Sequence, residues 1–160
     1  MLQNIHRQSL RPGLILWYDL SNEKGTYRFG TWNVRSLCRA GSFTAAAREF
    51  VRYKLDLMGV QEVRWNREGT IRAGDYNFFY GKRNENHQLG TGFFVHHRTV
   101  SAVKTVECFS DRVSYTVLRG CWCNIIVLNV HAPNEEKNDD SKDSFYVELE
   151  QFFYHFLSSI

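Results

Sequence analysis

From Tyr27 onward the apolar residues fall in short runs, and three of these runs end on a hydrogen-bonding side chain. They are Tyr27-Arg28-Phe29-Gly30-Thr31-Trp32-Asn33, Leu55-Asp56-Leu57-Met58-Gly59-Val60-Gln61-Glu62 and Asn124-Ile125-Ile126-Val127-Leu128-Asn129-Val130-His131. Short apolar or alternating runs of this kind predict β-strands. Between the first two, Phe43, Ala46, Ala47, Phe50, Val51 and Leu55 recur at helical spacing, with Ser42 placed to cap the helix. A strand, a helix and the buried-type strand Leu57 to Gln61 in succession predict a β-α-β unit with parallel pairing.

Beyond Glu68 the pattern becomes mostly strand: Tyr76 to Tyr80, Thr91 to His96, Val100 to Phe109, Arg112 to Arg119 and Trp122 to Val130. Turn signals at Gly81, Gly90 and Arg119-Gly120 separate them. Ser144 to Ser158 predicts a closing helix with Phe145, Leu149, Phe152, Phe153 and Phe156 on one stripe, after Asp139, Asp140 and Ser141 with cap and dipole chemistry. The result is one α/β domain over residues 27–160, with more strands than helices and no internal repeat. Residues 1–26 are expected to be a flexible leader. Leu14 to Tyr18 is too short for a signal-peptide core and is cut off by Asp19. No apolar run approaches the ~20 residues that cross a bilayer, so a membrane is not an expected partner.

An apolar fraction of 43% in 160 residues supports a single core. The net charge of +3 is unevenly spread. Lys24, Arg28, Arg35, Arg39, Arg48, Arg52 and Lys54 lie close together, Arg64, Arg67 and Arg72 follow, and the chain from Glu135 onward is acidic. A basic first half fits a polyanion partner such as DNA; ordinary solvated faces account for the charge equally well. Cys38, Cys108, Cys121 and Cys123 lack the spacing of a disulfide scaffold. Cys121 and Cys123 are expected on one face of a strand, and reduced thiols are favoured over zinc and place the protein inside the cell.

In open α/β folds ligands collect outside the carboxyl ends of strands. Glu62 ends its strand with a carboxylate that must be solvated or liganded, and Asn33 adds a neutral oxygen. Such oxygens suit a hard divalent cation; equally, Glu62 could cap a helix or pair with Arg64. Pro133 ends the third run, so that His131 and Asn134 can face one side of the rim and orient a phosphate oxygen and a water. A strand-end histidine bonded to a loop is the plainer alternative. Gly90-Thr91-Gly92 leads into a strand rather than a helix, which argues for close packing and against a phosphate loop. Ser36 and Ser114 have no His and Asp arranged for a triad.

Taken in order, Thr31-Trp32-Asn33-Val34-Arg35-Ser36-Leu37, Gly59-Val60-Gln61-Glu62-Val63-Arg64-Trp65, Gly90-Thr91-Gly92-Phe93-Phe94 and Asn129-Val130-His131-Ala132-Pro133-Asn134 resemble the endonuclease/exonuclease/phosphatase superfamily, which includes DNase I and the apurinic endonucleases. Within it the chain looks most like the endonuclease domains of RTE/BovB-type retrotransposons and proteins of the craniofacial development protein 2 type. The resemblance runs from Tyr27 to about Phe156. It implies a DNase I-like two-sheet α/β sandwich and a metal-dependent phosphodiesterase acting on DNA. By motif match Asn33 and Glu62 would hold Mg2+ or Mn2+, His131 would be the catalytic histidine, and Asn134 would contact a phosphate. By position, Arg35, Arg64, Trp65 and Arg67 would touch nucleic-acid backbone.

The family's Gly-Asp-Phe-Asn and Ser-Asp-His motifs do not occur in these 160 residues. The expectation is therefore a truncated, amino-terminal portion that alone is weakly active or inactive. Its second sheet would be largely missing, exposing an apolar sheet face to self-association or to the carboxyl-terminal half. The alternatives are a non-catalytic domesticated fragment that binds nucleic acid or protein, and a phospholipid-headgroup phosphatase of the same superfamily.

Overall fold

The computed structural model describes residues 5–10, 13–22, 25–34, 42–63, 69–80, 90–120 and 123–158. In chain order the elements are β1 (Ile5–Leu10), β2 (Gly13–Asn22), β3 (Gly25–Asn33), α1 (Ser42–Arg52), β4 (Leu57–Gln61), β5 (Gly69–Ala73), β6 (Tyr76–Tyr80), β7 (Thr91–His96), α2 (His97–Val100), β8 (Val103–Cys108), β9 (Val113–Leu118), β10 (Ile125–Val130) and α3 (Asp139–Ser158).

Two sheets form. The larger has seven strands in the order β1-β2-β3-β4-β7-β6-β5, and the smaller has three in the order β10-β9-β8. The expected β-α-β unit is present: β3 and β4 pair in parallel, with Asn33 opposite Gln61. The other pairings are antiparallel. Layered in the order α1, larger sheet, smaller sheet and α3, the described elements form the α/β sandwich of a partial DNase I-like fold.

Period-two alternation gives the central strands of the larger sheet two apolar faces. Trp32, Met58, Val60, Tyr76, Phe78 and Phe94 face α1, where Ala46, Ala47 and Phe50 meet them. Phe29, Leu57, Phe93 and Val95 face the smaller sheet and pack with Leu118, Val103, Val106, Ile125 and Val127. α1 ends at Arg52; two residues on, Lys54 has a left-handed φ of 55° that closes the turn, and Leu55 donates back to the Phe50 carbonyl at 3.1 Å.

Several expectations change. The stretch read as a leader supplies β1 and β2, an antiparallel hairpin that extends the larger sheet from β3. The run Leu14 to Tyr18 has the β-propensity to do so. Strand β5 and the single turn α2 were not expected, and α3 begins at Asp139, capped by Asn138 Oδ1 accepting from Ser141 N at 2.9 Å. Cys123 precedes β10, because Ile125 is the first residue to pair across the hairpin, with Leu118; Cys121 lies outside the described residues. Nor is the sheet face expected to be open left bare, since β8, β9 and β10 cover it. Exposed apolar surface sits instead on the outer side of α3, at Tyr146, Val147, Phe153, Tyr154 and Leu157. Phe145 and Phe152 hold that helix down, the latter against Phe109 and Tyr115. Among the described residues no helix is long and apolar enough to cross a membrane.

Candidate active site

The strand tips converge where the two sheets meet. β4 leaves the larger sheet at Gln61, and Glu62 follows with φ 55°, a left-handed conformation that a β-strand does not use. Its flanks impose it. Val34 N donates to the Gln61 carbonyl at 3.0 Å, and Val63 N donates to the Gly90 carbonyl at 3.0 Å. Val63 is buried in the α1-facing cluster, on the side that simple alternation would assign to Glu62. The left-handed residue thus breaks the alternation and sends the carboxylate to the rim. A non-glycine residue held this way costs about 1–3 kcal/mol and persists only where its surroundings over-determine it.

β10 delivers His131 to the same place. Its Nε2 lies 3.4 Å from Glu62 Oε1, and both side chains are mostly buried (16% and 19% exposed). On the other side of the ring, Arg112 Nη1 is 3.5 Å from Nδ1 and donates to the His131 carbonyl at 3.1 Å, while His131 N donates to the Arg112 carbonyl at 2.8 Å. These partners assign the neutral tautomer with the proton on Nε2, pointing at Glu62, and the Nδ1 lone pair towards the guanidinium. Burial pushes the imidazole below its ordinary value, Arg112 pushes it further down, and Glu62 opposes both. The ring is held neutral, next to a carboxylate and a guanidinium.

Asn33 ends β3 beside Gln61 and is half-buried, so the neutral oxygen expected there stands one strand from Glu62. Asn134 is exposed in the turn after β10, where its main-chain oxygen accepts from Lys137 N at 3.1 Å. The structure therefore joins Glu62 and His131 directly, puts Asn33 at a neighbouring tip, and leaves the Asn134 side chain in solvent. Arg35, Arg64, Trp65 and Arg67 lie outside the described residues.

Among the described residues no three His, Cys, Asp or Glu side chains gather into a metal cage. One carboxylate and one amide oxygen nonetheless fit Mg2+ in kind, because that ion keeps several waters and takes one or two carboxylates together with substrate phosphate.

Three residues here carried no assigned role in the sequence reading. Arg112 is one, since it sits in the turn between β8 and β9 and nothing in the local sequence links it to His131. Gln61 and Asn129 are the others, both buried between the sheets. A signal for them was present, namely an amide at an inward-facing position immediately before Glu62 and two residues before His131.

The model of the Endonuclease/Exonuclease/phosphatase family matches residues 30–156. Two relatives are named craniofacial development protein 2, from Bos taurus and Tragulus javanicus, each 27% identical over 127 residues, or 79% of this chain. That match covers 21% and 22% of those proteins, so the chain spans about a fifth of the length of the curated relatives it matches. With the family match running from β3 to α3 and the strand tips assembled as described, the chain belongs to the endonuclease/exonuclease/phosphatase family.

Proposed function

We propose that these residues form part of a metal-dependent phosphodiesterase site that acts on DNA, of the kind found in retrotransposon endonucleases. The observation that carries the reading is the 3.4 Å approach of Glu62 to His131 at the joint of the two sheets. Glu62 and Asn33 would hold Mg2+, with Mn2+ as a substitute. When bound, the ion supplies Lewis-acid stabilisation of charge on the phosphate and the leaving oxygen. The chain's own groups do the rest. Neutral His131 orients a phosphate oxygen or water through its ring N–H, Arg112 adds positive charge beside it, and Asn134 reaches a phosphate from the exposed turn. Arg35, Arg64, Trp65 and Arg67 are proposed to position the nucleic-acid backbone.

The Gly-Asp-Phe-Asn and Ser-Asp-His motifs, which would supply the nucleophile-activating groups, are not in these 160 residues. Missing acid–base help is worth ~10²–10⁴ in rate, so this chain alone is expected to be slow. The test is nicking of supercoiled plasmid. Slow nicking that needs Mg2+, stops with EDTA and is lost in Glu62→Ala supports the reading. Nicking undiminished in Glu62→Ala contradicts it. DNA retained at low salt by folded protein that does not nick would instead favour the binding-fragment reading, since phosphate-driven binding is strongest there.

A further inference from the structure

Just inside the rim lies a polar cluster that the chemistry above does not use. Asn129 is 4% exposed and Gln61 7%, set between two sheets that elsewhere meet through apolar side chains. Gln61 Nε2 donates to Asn129 Oδ1 at 2.7 Å and to Thr31 Oγ1 at 2.9 Å. Asn129 Nδ2 donates to the Val60 carbonyl at 3.1 Å and to the Gly92 carbonyl at 2.9 Å. One amide on β10 thus grips the main chain of β4 and of β7 as well as the Gln61 side chain. Both its protons and its oxygen are committed, so its orientation is unique. Flipped, it would set NH2 against NH2 and its oxygen against two carbonyls. Gly59 makes the room: a Cβ there would lie 3.1 Å from Asn129 Cγ. Thr91 Oγ1 donating to Ser114 Oγ at 2.8 Å adds a second tie in the same layer.

We propose that Gln61 and Asn129 are positioning residues that set Glu62 against His131. The inference rests on reading Glu62 and His131 as the functional pair. Gln61 is joined to Glu62 by one peptide bond, and Asn129 lies two residues before His131 on the same strand. Apolar contact between sheets is non-directional and fixes neither their slide nor their rotation closely. Hydrogen bonds from β10 to β4 do fix them, at the ends where the pair is carried. Functional groups must be held to within about 0.5 Å, which calls for support of this kind. For stability alone, a matched apolar pair would serve as well as two buried amides.

The test is proton NMR of the metal-free chain, reading the NOE between the Glu62 side chain and the His131 ring. Asn129→Leu keeps the interface filled and removes its directional bonds. The expected result is loss of that NOE while contacts among Phe93, Val95 and Leu118 persist. Val127→Ala, which opens a cavity in the same interface, should lower Tm yet keep the NOE. An NOE retained in folded Asn129→Leu overturns the proposal. Should that variant fail to fold, Gln61→Met removes the donor from the other side, and an unchanged NOE there overturns it equally. If the NOE behaves as expected but Mg2+ leaves the Glu62 resonances of the unaltered chain unmoved, the positioning role stands and the metal reading of the site falls.

Discussion

Against α1, the larger sheet packs ring on ring: Phe94 lies 5.0 Å from Phe50 and 4.6 Å from Phe78, measured between ring centroids, and Phe50 meets Trp32 edge-on at 5.6 Å. Against the smaller sheet it packs Phe29, Leu57, Phe93 and Val95 at one end, then changes to Thr31, Gln61, Asn129, Thr91 and Ser114 towards the strand tips. The first interface is specified by volume and shape, and supplies stability. The second gives up apolar burial near the rim for bonds that have direction. Glu62 and His131, the proposed site pair, stand at the end of that polar layer.

Breaking the two interfaces should therefore have different consequences. The largest effect expected is from Phe94→Ala, which removes a fully buried ring at the centre of the α1 side and should cost about 3–5 kcal/mol in denaturant unfolding. A cost near that of a surface substitution would mean the aromatic cluster is not the core. Asn129→Ala should cost less, about 1–3 kcal/mol, because it strands buried polar partners rather than emptying a large volume. Asn129→Leu should be milder in stability while disturbing the rim just as much.

The pH dependence comes next. His96 on the α1 side and His131 on the site side both have their pKa lowered, first by burial and then by Arg98 or Arg112 respectively. Each binds its proton less readily when folded than when unfolded. Their contribution is thus fully present above the ordinary value of 6.5 and is lost as pH falls from there through the folded pKa. For His96 the cause is also visible in a bond, since its Nδ1 accepts from Arg98 N at 3.2 Å and cannot do so once protonated. Thermal unfolding from pH 7.5 to 5 should show Tm falling below about pH 6.5, and His96→Gln and His131→Gln should each flatten part of the slope. A Tm that rises on acidification would contradict both assignments. Smallest of all, Tyr154→Ser on the outer side of α3 should move stability by no more than about 0.5 kcal/mol, since it touches neither interface.

Much of this division could be seen in the amino-acid order. Strands such as Thr91 to His96 announce themselves because both faces are buried, and the β3-α1-β4 unit follows from one helix-spaced run between two strand runs. Glu62 and His131 were legible as polar tips on apolar strands. What was not legible depended on distant partners. Strand β5 shows only Ile71 and Ala73 as apolar positions, and it exists through pairing with β6. The hairpin of β1 and β2 depends on the free edge that β3 offers. Phe153 reads as part of the α3 stripe but stands about 100° from Phe152 on a helix, and is 49% exposed. Gln61 and Asn129 look like ordinary strand polar residues until the two sheets are stacked and their amides are seen to meet.

The proposed function requires a divalent cation to bind at the rim of Glu62 and Asn33, beside His131, rather than at any other polar surface. Paramagnetic broadening by Mn2+, followed residue by residue in the NMR spectrum, tests it most directly. Resonances of Glu62, Asn33 and His131 are expected to broaden first, those of α1 and its aromatic cluster to stay sharp, and Glu62→Gln to abolish the effect. Broadening centred on Asp139, Asp140 and Asp143 at the start of α3, with the rim left sharp, would contradict it.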